Sequence, residues 1–152
     1  MHLNQFGKIA FNNWLEIPKH FGNIILDDFI VMPNHFHGIV GITNDDSFFV
    51  ARIYMRSLHN NKNTDSHQTD KTKMLLSKVI QQYKASVTRD INKIPDNNFQ
   101  WLKSFHDRII RNERELINVR RYIFYNALTW KENIENKRID NLNNEYYKRL
   151  FR

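Results

Sequence analysis

Two apolar, β-prone runs separated only by Pro33-Asn34 set the strongest constraint on this chain. Ile24-Ile25-Leu26-Asp27-Asp28-Phe29-Ile30-Val31 comes first, and Met32-Pro33-Asn34-His35-Phe36-His37-Gly38-Ile39-Val40 follows, closed by Ile42. Such a pattern reads as a hairpin or tight strand connection. Side chains on a strand alternate between its faces, so His35 and His37 point the same way and Phe36 points into the opposite layer. Two imidazoles about 7 Å apart along a strand can hold one small cation if a third ligand comes from elsewhere. The plainer reading of a bare His-x-His is two hydrogen-bonded strand histidines, because the pattern is short.

The rest of the chain reads as α/β, in the α+β sense. Phe6, Ile9, Ala10, Trp14 and Ile17 fall near helical spacing over residues 4 to 17, and Pro18 is expected to end that helix. From Thr43 the pattern weakens, and a polar loop is expected at about 57–73, with His59 and His67 solvated. A second helix is predicted from Met74 to Asn92. Its stripe of Leu76, Val79, Ile80, Tyr83, Val87 and Ile91 faces the core, and Lys84 and Arg89 lie elsewhere on its surface. Tyr83 lies on the stripe and is read as core.

Pro95-Asp96-Asn97-Asn98 marks a turn, and a short strand is expected over Ser104 to Ile110. Asn112-Glu113-Arg114-Glu115 resembles a capping box, with Asn112 as N-cap. Leu116, Val119, Ile123 and Ala127 form the buried stripe of the helix it opens. Tyr122 and Asn126 lie one turn apart on a single face of that helix. A short closing helix is expected over residues 146–151.

Composition narrows the classes. The 152 residues suit a single domain with a real core. With no cysteine there is no disulfide framework and no thiolate metal site, which fits a reducing cytoplasm. No run of about 18 apolar residues offers a membrane span. The net charge of +7 points to a polyanionic partner, most often nucleic acid.

Three segments together carry a family resemblance. Met32-Pro33-Asn34-His35-Phe36-His37-Gly38, Phe105-His106-Asp107-Arg108-Ile109-Ile110-Arg111-Asn112 and Arg121-Tyr122-Ile123-Phe124-Tyr125-Asn126 resemble the HUH single-tyrosine transposases, and most of all the REP-associated tyrosine transposases, over roughly residues 7 to 133. The resemblance implies a ferredoxin-like HUH nuclease architecture, with a small, mainly antiparallel sheet carrying the His-x-His strand. It also implies a divalent metal, Mg or Mn, held by His35, His37 and Asn126, with Tyr122 as nucleophile. The implied reaction is cleavage and strand transfer on single-stranded or hairpin DNA through a 5′-phosphotyrosine.

That assignment is chemically coherent. A phenol, with a reference pKa of about 10, needs activation and placement to attack a phosphodiester. Two imidazoles, an amide oxygen and waters suit Mg²⁺ or Mn²⁺, with Mn²⁺ more tolerant of nitrogen. Tyr125 is a competing nucleophile, and His106 is a fourth ligand or, as favoured, a structural strand residue. Arg108, Arg111, Arg120 and Arg121 cluster near Tyr122 in sequence and, with Lys84 and Arg89, are the candidate DNA-phosphate contacts.

The resemblance implies a first strand before the opening helix, and that strand is expected to be missing here. Losing a central strand is expected to leave exposed edges or a cleft. A truncated remnant, a misplaced start or completion by a second copy in a homodimer would each account for it. Two other functions therefore stand beside the transposase: a catalytically silent DNA-binding remnant, and a small hydrolase whose histidines activate water.

Overall fold

The computed structural model describes residues 2–44, 47–56, 71–103, 105–126 and 128. The elements run α1 (Gln5–Leu15), α2 (Ile17–His20), β1 (Ile24–Val31), β2 (His35–Asn44), β3 (Ser47–Arg56), α3 (Lys71–Ile91), β4 (His106–Ile110) and α4 (Glu113–Asn126). The four strands form one antiparallel sheet in the order β1-β2-β3-β4, so the fold is α+β. None of the helices described is long and apolar enough to cross a membrane.

The hairpin forms where expected. Its turn is closed by the Met32 amide donating to the His35 carbonyl at 2.9 Å. Alternation along β2 then sorts its side chains into two cores. Phe36, Val40 and Ile42 join Ala51, Ile53 and Met55 of β3 under α1 and α3, while Ile39 faces the other way with Ile110, Val119 and Ile123. The first core is strongly aromatic: Trp14 packs 4.4 Å from Phe36 and 5.2 Å from Tyr83, centroid to centroid. Every residue of the predicted α3 stripe is buried there. Tyr83 is core as expected, its hydroxyl donating to the Ala10 carbonyl at 3.2 Å, and burial pushes its pKa up.

Gly38 is required by this packing. A Cβ at that position would lie 2.7 Å from the Trp14 ring and 2.8 Å from the Phe36 ring. The missing side chain is the space into which the indole settles.

Several boundaries differ from expectation. Helix α1 breaks at Glu16, and Pro18 does not end it but sits in the first turn of α2, where a missing N–H costs nothing. Helix α3 begins at Lys71, so residues 71–73 are helical and not loop. The remainder of the expected loop, with His59 and His67, and the expected closing helix lie outside the described residues.

The largest difference is β3, a strand absent from the sequence reading. It pairs with β2 from Asn44↔Ser47 to His35↔Arg56 and with β4 from Val50↔Ile110 to Tyr54↔His106. The His-x-His strand is therefore paired on both edges.

Candidate metal and nucleophile site

The site is built where the end of β2 meets α4. Asn112 caps that helix, its side-chain oxygen accepting from the Glu115 amide at 2.8 Å. The Glu115 carboxylate reaches back to the Arg111 amide at 3.1 Å, one residue earlier than a standard capping box. Leu116, Val119 and Ile123 seat the helix on Ile30, Ile39, Val50 and Ile110. A second tie comes from a bulge in β1 between Leu26 and Phe29. There Asp27 accepts from Arg120 through both oxygens, at 3.1 Å from Nε and 2.6 Å from Nη2.

This seating brings together two groups far apart in sequence. The Tyr122 hydroxyl lies 3.1 Å from His37 Nε2, with the rings edge to face at 5.0 Å. The His35 and His37 rings converge to 4.9 Å between centroids. Asn126 follows one turn beyond Tyr122 on the buried side of α4.

Burial singles out the same residues. Among the described residues, the buried polar side chains are His35, His37 and Asn126, at 3, 1 and 2 % exposure. Sequestering polar groups from water is costly unless they are engaged; two of the three, His35 and His37, lie side by side. The donor set of two imidazole nitrogens and one amide oxygen fits a divalent ion of intermediate hardness. No cluster of three or more His, Cys, Asp or Glu suited to a metal occurs among the described residues. A cavity of about 500 Å³ opens beside this end of the sheet, with His35, Phe6, Phe99 and Trp101 in its wall. Comparison with known protein families, curated proteins and solved structures finds no match.

The neighbours of the pair include residues that sequence reasoning missed. Tyr54 of β3 stands opposite His37 in register and stacks on it at 4.7 Å, and it lies 5.6 Å from the His35 ring. The signal for Tyr54 is the alternation of Val50, Arg52 and Tyr54 against Ala51, Ile53 and Met55, a period of two. Asn34, in the hairpin turn, places Oδ1 2.7 Å from His35 Nδ1. His106 stacks on Tyr54 from the far side at 6.0 Å, so Tyr54 separates it from His37.

The predicted cations do not form one patch. Arg108 of β4 faces Arg52 in register and makes an ion pair with Glu115 at 3.1 Å. Arg120 is committed to Asp27, whereas Arg111, just before α4, and Arg121, midway along it, are exposed. Lys84 and Arg89 belong to α3, in the layer across the sheet from α4. Lys84 donates to the Leu102 carbonyl at 2.9 Å beside the Trp101 ring, and burial lowers its pKa to about 8. Tyr125, the competing nucleophile, is 53 % exposed and packs edge-on against Phe124.

Proposed function

We propose that this protein is a tyrosine transposase of the HUH type, cleaving and rejoining single-stranded DNA beside a hairpin, with Tyr122 as nucleophile. The observation that carries the reading is the Tyr122 hydroxyl 3.1 Å from His37 Nε2, across 85 positions of sequence. That contact sets a helix-borne hydroxyl against the strand that carries both imidazoles.

His35, His37 and Asn126 would hold a divalent ion, Mg²⁺ or Mn²⁺, whose contribution is to polarise the phosphate and offset its charge. The protein's own residues place the phenol. Asn112 and Glu115 fix the start of α4, the Ile39–Val119–Ile123 contact fixes its height, and the Asp27–Arg120 pair fixes its rotation. Attack forms the Tyr122 Oη–phosphorus bond and breaks the bond to the 3′ oxygen. The phenol loses its proton and the departing oxygen gains one. The 5′-phosphotyrosine keeps the phosphodiester energy, so a second 3′-hydroxyl can reverse the step and join a new strand. An unpaired backbone suits this site because it can bend to in-line geometry at a helix-borne nucleophile.

Incubation of 5′- or 3′-labelled hairpin DNA with the protein and Mn²⁺ tests this. A covalent protein–DNA adduct that disappears in Tyr122→Phe is expected. Salt-sensitive binding with no adduct would leave only the silent DNA-binding reading, and cleavage surviving Tyr122→Phe would indicate water activated at the histidines.

A further inference from the structure

We infer that Asn34 is a positioning residue for the metal site: it holds His35 as the Nδ1–H tautomer and so presents Nε2 as the ligating nitrogen. The inference rests on the metal reading above and deepens it.

The 2.7 Å contact between Asn34 Oδ1 and His35 Nδ1 is short for a hydrogen bond to a ring nitrogen. An amide oxygen only accepts, so Nδ1 must carry the proton. A neutral imidazole has one such proton, which leaves the lone pair on Nε2, an atom shielded from solvent. His37 also directs Nε2 to the site, toward the Tyr122 oxygen. Nε2 is thus the nitrogen of each ring that would meet an ion, the His37 contact with Tyr122 giving way to it.

The geometry comes from the hairpin. Successive side chains on a strand point to opposite faces, so a residue within β2 could not bond its immediate neighbour's ring in this way. Asn34 lies just outside the strand, in a turn stiffened by Pro33 and closed by the Met32–His35 backbone bond. Its amide can fold back onto the first ring of the strand. A partner on the second ring nitrogen is how proteins orient metal-binding histidines, and removing such a partner typically costs 10- to 100-fold in metal affinity, about one to two orders of magnitude.

The test combines ¹⁵N NMR of the imidazole nitrogens in the full chain without metal, calorimetric titration with MnCl₂, and the variants Asn34→Ala and Asn34→Asp. Wild-type protein is expected to show His35 protonated at Nδ1. Asn34→Ala is expected to show tautomer mixing and an Mn²⁺ affinity lower by roughly 10- to 100-fold, at unchanged melting temperature. Asn34→Asp, which keeps an acceptor oxygen, is expected to restore both the tautomer and the affinity. A turn role alone would give no change in tautomer. An Nε2–H His35 in the wild type overturns the proposal. So does an Asn34→Ala protein with wild-type tautomer and affinity. If the wild type binds no Mn²⁺, the metal reading fails, and Asn34's role in serving a metal fails with it.

Discussion

The Tyr122 hydroxyl and His37 Nε2 lie 3.1 Å apart, which puts the proposed nucleophile and a proposed metal ligand at hydrogen-bond distance. An ion bound at Nε2 would take over the lone pair used in that contact. Tyr122→Phe removes the competing hydroxyl. Mn²⁺ affinity is expected to rise by roughly two- to tenfold, the equivalent of one ordinary hydrogen bond. Calorimetry on both proteins checks this, and a fall in affinity would make the phenol itself a ligand.

Metal binding is also expected to stabilise the fold. At an Mn²⁺ concentration 100 times its dissociation constant the gain is about 2.7 kcal/mol, seen as a higher melting temperature that EDTA reverses. His35→Ala and His37→Ala should each abolish this increment while still melting cooperatively. His37→Ala should start from a lower baseline, since its ring is packed between Tyr54 and Tyr122. Failure of both variants to fold would make the histidines structural.

Arg120 and Arg121 are adjacent but are predicted to behave differently. Arg121 is exposed, whereas Arg120 is tied to Asp27. Arg121→Gln should reduce the slope of log affinity against log salt for single-stranded DNA by about one contact. Arg120→Gln should leave that slope unchanged and match Asp27→Asn in its effect on adduct yield. Fluorescence anisotropy over a salt series separates the two roles.

Lys84 supplies a pH dependence. Its ammonium is disfavoured by burial, so its pKa falls from 10.5 to about 8 in the fold. Between those values the unfolded chain holds a proton that the native protein has lost. Stability therefore rises with pH across that window, and the penalty of the buried charge is fully present below about pH 8. Urea unfolding at pH 7.5 and 9.5 (roughly the two sides of the folded value) should show the rise, and Lys84→Met should flatten it.

Gly38→Ala is expected to cost about 1–3 kcal/mol, because the new methyl meets the Trp14 and Phe36 rings in a filled core. The midpoint of urea unfolding measures it. The paired variant Gly38→Ala with Trp14→Phe should recover part of the loss.

What was legible in the sequence is what neighbouring residues decide among themselves. The hairpin followed from two β-prone runs around Pro33-Asn34, the α3 face from steps of three and four, and the α4 start from Asn112 with Glu115. The period of two in β3 is hard to read because both of its faces are covered: Ala51, Ile53 and Met55 meet the large core, and Val50, Arg52 and Tyr54 are partly buried on the other side. What makes it a strand is its partners, one of them β4, far along the chain. Tyr54 was missed with it. The first turn of α3, Lys71-Thr72-Lys73, carries no apolar stripe and so gave no helical signal. The commitment of Arg120 depends on where a bulge in β1 aims Asp27, and no local pattern records that.

The two cores of this fold are unequal. Trp14, Phe36, Tyr83 and their many neighbours bind α1 and α3 to one side of the sheet, whereas α4 rests on a seam of four buried aliphatic residues. Cooperative units that bury little open first. Amide hydrogen exchange is therefore expected to be faster in α4 than in α1 and α3. Damage to the large side would be felt as loss of protein, and damage to the narrow seam as folded protein in which Tyr122 no longer meets His37.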